Sequence, residues 1–331
     1  MMIVIGALAV LLAVAITASV GWRPIIGPRS RPLTDRKFQP TPERLERGRY
    51  LAENAAGCMD CHSEHDWGQP GGPFIRARMG AGDIFPMEGL PGRIVPSNLT
   101  PDPETGAGTW TDDQLARAIR EGIGHDGRAL FPLMPYERFR HMSDEDLASV
   151  IVYLRSLPAV PNPLPKTEII FPVKYLIRNA PQPVVAPVPA PDVSTPAKRG
   201  AYLANLGDCI ICHTPKDDKQ QPLPGMEFSG GWVLKGPWGA PATANITPDA
   251  SGIGYYDENL FLEVMHTGKV KARKLNPLMP WIDIGKMTDE DLKAIFAYLK
   301  TLKPIQHRMD NTEPPTLCKK CGAMHGLGDR N

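Results

Sequence analysis

The chain has 331 residues, formal charge +1 and 42% hydrophobic residues, enough for two domains and without the basic excess of a nucleic-acid binder. Its 36 prolines and 31 glycines are about a fifth of the whole, which excludes a protein of long regular helices and predicts short helices between irregular loops. Six cysteines fall into three C-x-x-C pairs, a usage that suits an oxidising compartment outside the cytoplasm.

Residues 1–22 carry no charge, and Thr17 and Ser19 are the only polar side chains before Trp22. This predicts an uncleaved transmembrane anchor ending at an interfacial tryptophan. A cleaved signal peptide is the competing reading, but no Lys or Arg precedes the apolar run. Arg23, Arg29, Arg31, Arg36 and Lys37 then lie on the side that the positive-inside rule would call cytoplasmic. Residues 23–41 read as an extended tether.

Pro42 with Glu43 opens a helix, which leads through Gly48-Arg49-Tyr50-Leu51-Ala52 to Cys58-Met59-Asp60-Cys61-His62. C-x-x-C-H is the attachment spacing of a c-type haem: on one helical turn both sulfurs and the imidazole reach one macrocycle. The alternatives, a zinc half-site or a thiol redox pair, would serve for one isolated copy. A second copy, Cys209-Ile210-Ile211-Cys212-His213, predicts two covalent haems. Apart from these motifs, residues 63–108 read as a loop over one haem face.

Thr111 and Ser143, each followed by acids, predict two further capped helices. Between them Leu133-Met134-Pro135 places a methionine in a proline-bounded loop, at the place where the class I cytochromes c, which this order of elements resembles, put the second iron ligand, here opposite His62. Met79, Met87, Met142, His65, His125 and His141 compete less well. Residues 42–157 thus form one domain and 158–196 a proline-rich linker: an extended polyproline path, a flexible spacer, or a strap that packs across both domains. In residues 197–305 the first domain repeats. Gly200 to Ala204 matches Gly48 to Ala52, Asn245-Ile246-Thr247-Pro248 matches Asn98-Leu99-Thr100-Pro101, and Asn276-Pro277-Leu278-Met279-Pro280 matches the methionine loop. Met279 is therefore the expected partner of His213, with His266 and His307 weaker alternatives. Trp110, Tyr153, Tyr202 and Tyr298 are expected to pack around the haems.

Residues 306–331 form a tail with Cys318-Lys319-Lys320-Cys321, in which Gly322 stands where a haem histidine would be. A local disulfide, a degenerate haem or metal site completed by His325, and unpaired thiols at an interface are all open.

The order of helix, C-x-x-C-H, loop, helix, methionine loop and helix resembles the class I cytochromes c. Residues 42–305 are similar to dihaem cytochromes c and to the cytochrome subunits of periplasmic dehydrogenases. The resemblance implies an all-α fold of two tandem domains plus the N-terminal span, with haem domains on the periplasmic side of a membrane. It implies an electron carrier rather than an enzyme, linking a donor complex to an oxidase or soluble carrier. It departs in having two modules rather than three and in its tail. A dihaem peroxidase, which needs an open sixth position, and a subunit whose haems serve assembly are the weaker alternatives.

Overall fold

The computed structural model describes residues 2–331, with side chains at all of them except Met2, Ile3, Ala7 and Ala9. Helix α1, Met2–Ser19, comes first. The expected transmembrane span is corrected here. The apolar run forms 18 helical residues, about 27 Å at 1.5 Å per residue, less than the roughly 30 Å of a bilayer core. Among the described residues no helix is long and apolar enough to cross a membrane. The all-α expectation is also amended by three two-stranded antiparallel ribbons.

The remaining chain consists of helical and loop segments in two similar halves. In the first, α2 (Pro42–Tyr50) runs through a π-helical stretch, Leu51–Ala55, into α3 (Cys58–Cys61). Helices α4 (Asp112–Glu121) and α5 (Asp144–Ser156) follow. In the second, α6 (Pro196–Leu206), α7 (Cys209–Cys212), α8 (Glu258–Thr267) and α9 (Asp289–Leu299) take the same order. The caps expected at Thr111 and Ser143 form: Thr111 accepts from the Gln114 amide in a full capping box, and Ser143 accepts from the Asp146 amide. Thr41, Thr195, Asp257 and Thr288 cap α2, α6, α8 and α9 in the same way.

Each half is built on a close crossing of its first and last long helices, α2 on α5 and α6 on α9. At the crossings sit the repeated glycines. A Cβ on Gly48 would lie 1.9 Å from the Ser149 carbonyl oxygen, and one on Gly200 1.8 Å from that of Ala294. Apolar side chains on both sides of these crossings, Leu51, Leu115 and Ile151 in one half and Leu203, Phe261 and Leu292 in the other, belong to one continuous core.

The halves are joined reciprocally. The Tyr50 hydroxyl donates to Asp291 Oδ2 at 2.5 Å and accepts from the Thr288 amide. The Tyr202 hydroxyl donates to Asp146 Oδ2 at 2.6 Å and accepts from the Ser143 amide. Each tyrosine thus completes the N-terminus of the last helix of the other half. Arg47 and Arg199 bind the same two aspartates from within their own halves. The sequence suggests Tyr202 as a haem neighbour; its hydroxyl instead serves this joint.

The segments read as tether and linker are packed against the domains. Arg31 pairs with buried Asp113 and Glu121, and the Thr34 amide donates to Asp113. The linker pairs β2 (Glu168–Ile169) with β1 (Gly92–Arg93), and Asn162 donates to the carbonyls of Ala81 and Gly82.

Two outcomes follow from these contacts. Gly48→Ala and Gly200→Ala should each destabilise by about 3 kcal/mol, because a backbone carbonyl at a helix crossing cannot move aside; denaturant unfolding of each variant measures it, and a change below about 0.5 kcal/mol would refute the crossing. Burial first, and the facing carboxylates second, push Tyr50 and Tyr202 up to about 12. With folded values above the ordinary 10, their contribution is complete below pH 10 and is lost as pH rises through about 12. Unfolding midpoints measured from pH 9 to 12 should therefore fall more steeply for the wild type than for the Tyr50→Phe, Tyr202→Phe double variant.

Candidate haem sites

Each C-x-x-C-H motif occupies a single helical turn entered through a left-handed residue, Gly57 (φ 56°) before Cys58 and Asp208 (φ 47°) before Cys209. This entry turns the chain sharply out of the preceding helix. His62 Nδ1 lies 2.7 Å from the Ser97 carbonyl and His213 Nδ1 lies 2.7 Å from that of Ala244. A carbonyl can only accept, so Nδ1 carries the proton in both rings and Nε2 is left with its lone pair available to a metal. Burial lowers both imidazoles' proton affinity, keeping them neutral. Burial also pushes the thiols of Cys58, Cys61 and Cys209 to about 12 and that of Cys212 to about 11. A thiol redox pair needs the opposite shift.

Cys58, Cys61, His62 and Met134 line one cavity of about 1020 Å³, at the top of the usual range for small-molecule sites. Trp110, Leu115, Ile119 and Leu154 supply apolar wall. Two thiols, an imidazole and a thioether against this wall fit a covalently held haem c. The cavity continues into the second half, where Asp208, Cys212, Leu278 and Pro280 line it. Met279 is partly buried in the equivalent proline-bounded loop.

Of the competing ligands, His65, His125 and Met142 also line the cavity, each with contacts of its own. His65 uses both ring nitrogens, on the carbonyls of Gly72 and Asp60. His125 stacks on Trp110 at 4.2 Å, and His266 contacts the Gly285 carbonyl and Asp289. Met142 is fully buried in the core, whereas Met79 packs at its edge. Of the aromatics expected near haem, Trp110 lines the cavity, Tyr153 donates to Glu53 at 2.5 Å and Tyr298 packs edge-on against Phe228.

Sequence reasoning missed what holds the carbonyls that hold the histidines. Asn98 Oδ1 accepts from the Thr100 amide and hydroxyl, and its Nδ2 donates to the Val160 carbonyl at 2.8 Å. Asn245 repeats this with Thr247 and the Ile305 carbonyl at 2.7 Å. Each asparagine directly follows the residue whose carbonyl orients the axial histidine. The repeated Asn-x-Thr-Pro segment was the available signal. Partly buried acids distinguish the halves: burial, then Asp283, raises Asp60, while burial raises Asp208 to about 7.

Two tandem modules, each with thiol pair, oriented imidazole and methionine loop, define the chain as a tandem haem protein. The sequence profile of cytochrome c matches residues 45–158 and 197–303, and the chain belongs to the cytochrome c family, with two haem c groups. It is 32% identical to the fructose dehydrogenase cytochrome subunit of Gluconobacter japonicus over 80% of this chain and 54% of that protein. It is 31% identical to one of the subunits of nicotinate dehydrogenase from Pseudomonas putida over 78% of this chain and 21% of that protein. A dihaem c-type cytochrome of Cereibacter sphaeroides is 27% identical over 76% of this chain and 84% of its own length. The chain thus spans about half, or less, of the two dehydrogenase proteins.

Asn98→Ala or Asn245→Ala should cost about 2–3 kcal/mol, since each strands buried partners. It should also shift the reduction potential of the haem in its own half, as the carbonyl facing Nδ1 loosens. Potentiometric titration beside denaturant unfolding tests this, and an unmoved potential would sever the asparagine from the haem.

Proposed function

We propose that the chain is an electron-relay subunit of a dehydrogenase, working on the extracytoplasmic side and passing electrons through its two modules to an oxidase or soluble carrier. The observation that carries this reading is the shared cavity: Cys212 of the second motif lines the same space as Cys58, Cys61, His62 and Met134 of the first. Bound there, a c-type haem supplies a one-electron redox centre with no need of substrate binding.

The chain's own residues do the rest. Cys58 with Cys61, and Cys209 with Cys212, fix the two groups in position. His62 and Met134 would hold the iron of the first group, as His213 and Met279 would that of the second, and iron so held would offer no place for oxygen or peroxide to bind. The methionines raise the potential, and the apolar walls exclude water. Tyr50 and Tyr202 hold the two modules in one arrangement, which keeps the distance between redox centres constant. The names of the fructose, alcohol and gluconate dehydrogenase cytochrome subunits support a dehydrogenase as donor.

Met134→Ala and Met279→Ala test the assignment. Each should remove about half of the far-red methionine–iron absorption of the oxidised protein and lower one of two potentials. The wild type should accept electrons and pass them to a soluble cytochrome without turning over peroxide. Peroxide turnover by the wild type, or a full band in either variant, would overturn the reading.

A further inference from the structure

The tail supplies a constellation that electron transfer does not use. Strands β3 (Pro315–Leu317) and β4 (Met324–Gly326) form a hairpin, and Cys318 and Cys321 sit in its turn. The Cys318 amide donates to the Ala323 carbonyl and the Gly322 amide to the Cys318 carbonyl. Gly322 has φ +73°, so the residue that replaces a haem histidine in this third pair is the one the turn needs in left-handed conformation. Both thiols are unpaired and buried. His325 follows on β4, and His307 arrives from the segment after α9. Cys318 Sγ lies 3.4 Å from His307 Nε2, and Cys321 Sγ lies 3.4 Å from His325 Nε2. The four donor atoms all fall within 4.8 Å of one another, and all four residues are buried.

We infer that His307, Cys318, Cys321 and His325 form a structural zinc site that staples the tail to the second haem module. Tetrahedral zinc with bonds of about 2.3 Å to sulfur and 2.0–2.1 Å to nitrogen sets a sulfur-to-nitrogen edge of about 3.5 Å, close to both observed separations. Both histidines present Nε2 inward because their Nδ1 atoms are held on carbonyls, His307 by Ser229 at 3.0 Å and His325 by Gly326 at 3.0 Å. Binding releases the two thiol protons, so Zn²⁺ with two thiolates and two neutral imidazoles has no net charge, as a buried site requires. Two sulfurs and two imidazoles in this arrangement select zinc over the hard, oxygen-preferring cations. All four positions are filled by protein, which marks the site as structural rather than catalytic.

The staple reaches the backbone around His213. Ser229, which holds His307, directly precedes Gly230, whose amide donates to the His213 carbonyl. Asn245 Nδ2, next to the carbonyl that orients His213, also contacts the His307 carbonyl at 3.3 Å. A Cβ on Gly231 would lie 2.5 Å from His307 Cε1, so loop and imidazole are in close contact.

Metal analysis of the purified dihaem protein should find one zinc per chain beside two haem irons. Zinc-edge X-ray absorption should show sulfur and nitrogen shells in equal number. His307→Ala and Cys318→Ser should each lose zinc while keeping both haems. Should those variants fail to accumulate, treatment of the wild type with a strong chelator should free zinc and render residues 306–331 protease-sensitive with both haems retained. A wild type without zinc, with or without a Cys318–Cys321 disulfide in its intact mass, would overturn the proposal. So would zinc undiminished in both variants, or an oxygen-only shell.

Discussion

Each half of this protein depends on two helices that meet backbone to backbone. Close contact over Gly48 and Gly200 fixes the direction in which the first helix leaves the crossing, and the haem motif follows within a few residues. A wider crossing would move the cysteines relative to the methionine loop, which is set by the chain entering the last helix. In a chain so rich in proline and glycine, most of each half is loop. The crossing gives those loops a common frame, and the apolar wall of the cavity is assembled around it.

Much of this was legible because the chemistry is local. C-x-x-C-H puts its three donors on one turn, and helix caps act within three residues, so Thr111 and Ser143 could be read in isolation. Duplication did the rest, pairing Met134 with Met279 and Asn98 with Asn245 before any fold was known. What escaped depends on groups distant in sequence. The hydroxyls of Tyr50 and Tyr202 find their partners 241 and 56 residues away. His307 looked like a weak haem alternative, yet it faces Cys318 eleven residues on, from a different segment. The N-terminal run misled for another reason: apolar composition reports what a helix would tolerate around it, whereas crossing a bilayer also needs length, and α1 stops at Ser19.

The halves are alike in backbone and different in buried charge. Gly57 and Asp208 take the same left-handed entry, but only the second adds a carboxyl there. Asp60 lies inside the first motif, where the second has Ile211. Burial raises the affinity of both acids for protons, and the two carboxyls stand at different places in otherwise matching motifs.

The reciprocal tyrosine joint bears on how such a chain can change over generations. A repeat whose copies touch only through themselves can lose, exchange or multiply a copy at small cost. Here each copy finishes a helix that belongs to its sibling, so drift at Tyr50 is constrained by Asp291, and drift at Tyr202 by Asp146. A module separated from its sibling would leave the first turn of its last helix without the tyrosine hydroxyl that now accepts from its capping residue's amide.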